Sequence, residues 1–390
     1  MTSALMPTYV RADATFERGE GVYLFDKTGC RALDFSGGAA VLSLGHCHPH
    51  LVEALRQQAE KLWHTSNLFR ITGQERLAER LVRCSFADVV FFANSGAEAV
   101  ECGLKLVRRY HDENGQPERY RVITFEGAFH GRTLATLAAG RNASHLAGFE
   151  PMIEGFDQVP YGDVEATRTA VTGETAAILV EPVQGEAGVR VPPSGFLRGL
   201  RKLCDDEGLL LFLDEVQTGI GRTGRLFAHE WEGVAPDVMA VAKGLGGGFP
   251  TGACLATRAA AVGMTAGSHG STFGGNPLAM AVGNAVLDVV LAEGFLDGVQ
   301  DVAADFVSKL APLAEGNNNI FNELRGSGFL LGLRCGPDKT EVMESLRRRG
   351  LLVAGAGDNV IRLLPPLTVE AAQIDEAVEL LAGAAEALAA

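Results

Sequence analysis

The chain has 390 residues, 47% hydrophobic and 21% charged. It is long enough to bury a large core without disulfides or metals and too apolar for a disordered protein. Its net charge is −14, with 34 basic and 48 acidic side chains, so its surface repels nucleic-acid phosphates and anionic lipid; neither nucleic acid nor a membrane is an expected partner. Seven scattered cysteines without a C-x-x-C pair suit a reducing compartment. The sequence shows no basic-then-apolar leader and no uncharged apolar run of about 18 residues, and a cytoplasmic protein is expected. Its 48 glycines exceed the usual share of about 7% and follow no period, so their clustering is informative.

In chain order, the first 50 or so residues read as short strands and turns without a core of their own. Val89–Ala93 is an apolar run expected to be a buried strand, followed by a helix from about Gly96 to Tyr110. Further strands are expected at Arg121–Phe125, Ala176–Val180, Leu209–Leu213, Val238–Ala242 and Gly252–Ala256. Strands apolar along their whole length are covered on both faces. Their alternation with helical patterns predicts an α/β fold, a mostly parallel central sheet with helices on both faces. Residues 127–175 and 214–236 read as loop-rich, where such folds build sites. Beyond them come helices at Leu278–Val290 and Phe295–Leu313, then, after Asn317–Asn319, short strands at Gly328–Leu333 and Val360–Leu364, and a helix from Val369 to Ala389. This tail predicts a smaller α+β domain. The expected organisation is an N-terminal segment (1–50) packing with the small domain, a large α/β domain (51–289) and the small domain (290–390).

The strongest motif is Leu209–Leu213 followed by Asp214 and Glu215. It puts a carboxylate at the carboxyl end of a buried strand, outside which α/β sheets bind ligands. An aspartate there pairs with a cationic ligand nitrogen, holds Mg²⁺ or caps a turn. Lys243 follows a strand of small residues and precedes Gly244, Gly246, Gly247 and Gly248. A lysine so placed loses its proton readily and can form a Schiff base with an aldehyde, and the glycines let backbone approach a planar group. Ser95, Gly96 and Ala97 stand between strand and helix, where backbone N–H groups and the helix dipole favour an anion; an ordinary cap by Ser95 is the alternative. Ser271 and Thr272 open a glycine turn before a helix and could hold phosphate or simply make the turn.

Two further patterns are decoys. Gly219, Gly221 and Gly224 satisfy G-x-G-x-x-G, yet Asp214–Thr218 separate them from the strand and no clear helix follows, against a dinucleotide fingerprint. His46, His48 and His50 lack tetrahedral zinc spacing and read as turn and helix-start residues; no metal site is expected.

Together, Asp214–Gly219, Lys243–Gly246 and Ser271–Pro277 resemble the class III (ornithine-type) aminotransferases, which use pyridoxal 5′-phosphate on the fold type I scaffold. The resemblance runs from Gly45–Pro49 to Arg362–Pro366. His64–Phe69 and Gly127–Thr133 are most similar to the branch that acts on N²-acetyl-L-ornithine with 2-oxoglutarate, in arginine biosynthesis. The resemblance implies that Lys243 condenses with the cofactor aldehyde and shuttles a proton, and that Asp214 pairs with the pyridine nitrogen. It implies cofactor contacts from Ser95, Gly96, Ala97, Phe129 (stacked on the ring), Glu215, Val216 (on the opposite face) and Gln217 (at the ring hydroxyl). Thr272 would reach the phosphate of a neighbouring subunit, which implies a homodimer with shared sites. Arg132 would clamp a substrate carboxylate, with Ser271 near the donor. Glu186 would pair with Arg362 and release it when 2-oxoglutarate binds; a structural ion pair is the alternative. The family often has threonine where this chain has Ala97, which removes one hydroxyl contact. Ornithine, succinylornithine, succinyldiaminopimelate or 4-aminobutyrate remain alternative donors, and an aminomutase of the glutamate-semialdehyde type is a further alternative.

Overall fold

The computed structural model describes residues 4–315 and 320–389; Asn317–Asn319 lie outside them. Three short strands open the fold as an antiparallel meander: β1 (Arg18–Glu20), β2 (Tyr23–Phe25) and β3 (Arg31–Asp34). A tight turn at Gly37–Ala40 (α1) and helices α2 (Pro49–Ala59) and α3 (Thr72–Arg83) lead into the main sheet. That sheet holds β4 (Val89–Ala93), β5 (Arg121–Phe125), β6 (Phe156–Val159), β7 (Thr175–Val180), β8 (Leu210–Asp214), β9 (Val238–Val241) and β10 (Gly252–Ala256). Its seven strands lie in the order β4-β10-β9-β8-β7-β5-β6. Only β10 runs antiparallel to its neighbours; the other pairs are parallel. Helices α4 (Gly96–Glu113), α5 (Leu134–Gly140), α6 (Ala143–Leu146), α7 (Val164–Ala170) and α8 (Phe196–Glu207) are interleaved with these strands.

Alternation along the strands explains why they are apolar throughout. Leu211, Leu213, Met239 and Val241 enter one core with Leu200 of α8. Leu210, Phe212, Val238 and Ala240 enter another beneath Val100, Leu104 and Val107 of α4. Helices therefore cover both faces.

The remaining elements are α9 (Pro277–Val290), α10 (Phe295–Glu315), β11 (Phe321–Ser327), β12 (Leu330–Cys335), α11 (Lys339–Arg348), β13 (Leu351–Leu352), β14 (Ala354–Gly355), β15 (Val360–Leu363) and α12 (Ala371–Ala389). A second sheet runs β11-β12-β15-β14, while β13 leaves it to pair in parallel with β3. Among the described residues no single helix is long and apolar enough to cross a membrane.

Two local expectations are corrected. The stretch 127–175, read as loop-rich, contains strand β6 and helices α5, α6 and α7. β6, at one edge of the sheet, carries Asp157 and Gln158 half-buried and so shows no apolar run, whereas β4 at the other edge keeps one although Val89–Phe91 are only partly buried. The strand expected at Gly328–Leu333 is a hairpin: β11 and β12 flank Gly328, whose φ of +56° suits glycine at the turn.

Candidate active site

The carboxyl ends of the parallel strands converge on a cavity of about 440 Å³. β4 delivers Asn94–Ala97, β5 delivers Phe129–Arg132, β7 delivers Glu181, β8 delivers Asp214, Val216 and Gln217, and β9 delivers Lys243. This is where a parallel sheet gathers side chains from segments far apart in sequence.

Asp214 ends β8, buried at 4% exposure. One of its oxygens accepts His130 Nδ1–H at 2.8 Å, and the other accepts the Val216 N–H at 3.0 Å. The two bonds fix the carboxylate while its remaining lone pairs stay available to the cavity. Lys243 follows β9 in a one-turn 3₁₀ helix with φ of +38°, a conformation that costs a non-glycine residue strain and persists only when its surroundings impose it. Its amine makes no hydrogen bond or ion pair among the described residues. Burial pushes its pKa down, and the Glu186, Asp214 and Glu181 carboxyls push back without cancelling that effect.

Ser95 caps α4, its hydroxyl accepting the Glu98 N–H at 3.3 Å. The N–H groups of Gly96 and Ala97 take no acceptor among the described residues and face the cavity from the helix's positive end. A Cβ at Gly96 would lie 2.7 Å from Val216 Cγ1, so glycine is required for Val216 to pack over the helix start.

On the far side, Arg362 of β15 grips Glu186 with both arms: Nη1 to Oε1 at 2.5 Å and Nη2 to Oε2 at 3.1 Å. Gln217 joins them, its Oε1 accepting from Arg362 at 3.3 Å and its Nε2 donating to Glu186 at 3.5 Å. Burial alone would raise the Glu186 carboxyl; the Arg362 charge and hydrogen bonds outweigh it and hold it below its ordinary pKa. Arg132 stands at the rim, its guanidinium carbon 5.7 Å from the centre of the Phe129 ring.

Ser95, Gly96, Ala97, Phe129, Arg132, Glu186, Asp214, Val216, Gln217 and Lys243 thus line one cavity, and Arg362 reaches it through Glu186. Glu215 does not join them. Its carboxylate accepts Thr218 Oγ1 and the N–H groups of Ala228 and His229, together with His229 Nδ1, and so braces the loop after β8. Ser271 and Thr272 line a different groove of about 880 Å³ with His64, Asn67 and Leu68. Ser271 still touches the site's edge, accepting Asn94 Nδ2 at 3.2 Å.

Two buried residues of the cavity escaped the sequence reading. His130 adjoins Phe129 but acquires meaning only through Asp214, 84 residues away. Glu181, 7% exposed, accepts the Phe129 N–H at 2.9 Å; burial, then the nearby Asp214 charge, push its carboxyl well above the ordinary range. The histidine cluster is structural: His48 stands at the N-cap position of α2 without a side-chain cap bond, His46 Nε2 meets Asp34 at 2.8 Å and His50 Nε2 meets Asp288 at 2.9 Å. After the G-x-G-x-x-G glycines the chain makes turns and no helix opens until the short 3₁₀ segment at Ala228.

A mostly parallel α/β sheet here brings an unpartnered, partly buried lysine to a fixed aspartate beside a bare helix N-terminus, a set of groups suited to aminotransferase chemistry. The chain belongs to the class III aminotransferase family, whose model matches residues 6–385. It is 62% identical over 387 residues to the acetylornithine aminotransferase of Mesorhizobium japonicum, covering 99% of this chain and 97% of that one. It is 60% identical over 384 residues to that of Agrobacterium fabrum, covering 98% and 96%. Among solved structures, the N-acetylornithine aminotransferase of Stenotrophomonas maltophilia superposes with a TM-score of 0.85 at 38% identity, covering 97% of each chain. The ornithine aminotransferase of Toxoplasma gondii gives 0.95 at 32%, covering 99% of this chain and 93% of that one.

Proposed function

We propose that this aminotransferase moves the δ-amino group of N²-acetyl-L-ornithine to 2-oxoglutarate, giving N-acetylglutamate 5-semialdehyde and glutamate, with pyridoxal 5′-phosphate as cofactor. The observation that carries the chemistry is Lys243, a partly buried amine without a partner among the described residues, set in one cavity with Asp214, Glu186 and Glu181. The acetylornithine aminotransferases at 60–62% identity support the donor.

The residues fit that cofactor. Gly96 and Ala97 offer free N–H groups to its phosphate, Asp214 offers a fixed negative charge to its ring nitrogen, and Phe129 and Val216 offer apolar surfaces to its two faces. When bound, pyridoxal phosphate supplies an aldehyde that carries the amino group and a cationic ring that delocalises the electrons released at carbon. Lys243 Nζ, whose pKa burial pushes down, takes up and returns a proton at the substrate carbon. Arg132 holds one substrate carboxylate at the rim. Glu186 neutralises Arg362 while the donor, which has no second free carboxylate, is bound; swung aside, it exposes Arg362 to the second carboxylate of 2-oxoglutarate.

In this reading the chain works as segments 1–50, 51–289 and 290–390, with Arg362 bringing the last into the site. A homodimer is part of the proposal. Thr272 lines a groove outside the cavity, and Leu68, Phe69 and Phe273 stand 90%, 66% and 61% exposed, an apolar surface suited to a second copy. Seven unpaired cysteines support a reducing, cytoplasmic location.

Side-by-side kcat/KM values for acetylornithine, succinylornithine, ornithine and 4-aminobutyrate test the donor; another donor at the top overturns it. Lys243→Ala tests the chemistry. Borohydride should attach the cofactor to the wild-type peptide containing Lys243 and leave the variant unlabelled, with kcat lower by at least about 10³-fold.

A further inference from the structure

We propose that His145 is a positioning residue for substrate carboxylates: its neutral imidazole accepts a hydrogen bond from Arg132 and holds that guanidinium at the rim with its charge intact. The proposal rests on the reading of Arg132 as the carboxylate clamp.

Arg132 Nη2 donates to His145 Nε2 at 3.1 Å. The imidazole also meets the Phe129 ring edge-on, centroids 6.0 Å apart at 86°, and the guanidinium carbon lies 5.7 Å from the same ring. Phe129 is itself fixed through its backbone N–H to Glu181 at 2.9 Å. Three side chains from two separate segments therefore lock one another at the cavity mouth. Asn142 sets up the second segment by capping α6, accepting the Ser144 N–H at 3.0 Å and Oγ–H at 2.7 Å.

Among the described residues no carboxylate pairs with Arg132, whereas Arg362 has its charge committed to Glu186. An acidic partner would position Arg132 equally well but would cancel the charge that a substrate needs. Imidazole positions it through one of its five N–H donors and leaves the rest free for a carboxylate. Burial first, then the Arg132 charge, push the His145 pKa below its ordinary value, against a weaker pull from Glu186. At neutral pH the ring is therefore uncharged, and the bond to Arg132 requires its proton on Nδ1. A guanidinium held in advance loses less freedom on clamping its ligand.

The test uses glutarate, a five-carbon dicarboxylate with no reacting group, titrated calorimetrically into the cofactor-loaded enzyme, beside steady-state kinetics. His145→Ala should raise the glutarate Kd and the KM of both substrates about tenfold, with kcat changing little. His145→Gln, which keeps a neutral acceptor, should restore most of the affinity. His145→Glu, a similar-sized charged acceptor, should bind glutarate more weakly than either. Arg132→Ala serves as the reference. If it weakens glutarate binding and His145→Ala does not, positioning by His145 is overturned and the clamp stands. If Arg132→Ala leaves glutarate binding unchanged, the clamp reading fails and takes this proposal with it. Equal binding by the Gln and Glu variants overturns the role of neutrality, even if the alanine variant does not fold.

Discussion

Arg362 and Glu186, 176 residues apart, meet in a two-pronged ion pair in which both guanidinium arms are used. The arginine is buried and the carboxylate side chain is one-third exposed. The immobile partner is therefore the cation and the one with room to move is the acid. Gln217 holds both when they are together and has an acceptor left for Arg362 when they part.

From this follows the behaviour of Glu186→Ala. With Arg362 permanently exposed, a glutamate-type donor should gain over acetylornithine by about tenfold or more in relative kcat/KM, some 1.4 kcal/mol. An unchanged ratio would mean that the pair is structural.

Ala97→Thr should tighten the cofactor. Ala97 offers only its N–H at the helix start, and an added hydroxyl donating to a phosphate oxygen is worth about 1.5–3 kcal/mol. The cofactor Kd, followed by absorbance on stepwise dilution, should fall by at least about tenfold. No change would show that the backbone donors and the dipole alone set the affinity.

His111 predicts an acid-side loss of stability. The ring is buried, its Nε2–H donating to the Ala176 carbonyl at 2.9 Å, and burial foremost lowers its pKa from 6.5. Above that value neither folded nor unfolded chain carries the proton. As the pH falls below it the unfolded chain takes up a proton first, so stability declines until the folded ring also protonates. His111→Gln, which keeps a donor and does not titrate, should lose less Tm than wild type between pH 7.5 and 5. Parallel losses would exclude His111 as a contributor.

Gly103→Ala probes the contact between α4 and the sheet. A Cβ there would sit 2.2 Å from Cζ of Phe212, a ring fully buried on β8. Both residues are buried, so overpacking of about 1–3 kcal/mol is expected, read as a Tm lower by a few degrees. A neutral result would mean that the Phe212 ring rotates away freely.

What the sequence made legible follows from how much each residue's role depends on near neighbours. Leu210–Leu213 and Val238–Val241 announce themselves as inner strands because burial on both faces demands unbroken apolar runs. Phe156–Val159, at the sheet edge, carries no such mark. Lys243 and Asp214 stand out because each ends an apolar strand. His130 and Glu181 sit beside motif residues but gain their chemistry from partners that only the sheet brings near. Glu215 adjoins Asp214 in sequence, yet the turn after β8 aims it at Ala228 and His229 rather than at the cavity. His145 sits on a four-residue helix with no pattern of its own, and only its distance to Arg132 distinguishes it.

The parallel pairing of β3 with β13 also bears on how the molecule is made. Leu33 pairs with Leu351 and Asp34 with Leu352, and Leu33 and Leu351 are buried. On the ribosome β3 (Arg31–Asp34) emerges long before its partner (Leu351–Leu352), on the order of half a minute earlier at ordinary elongation rates. For that interval the strand has an open edge and nothing of its own chain to close it. Emergence of β13, rather than of Lys243, is then the event that lets these two distant segments lock together.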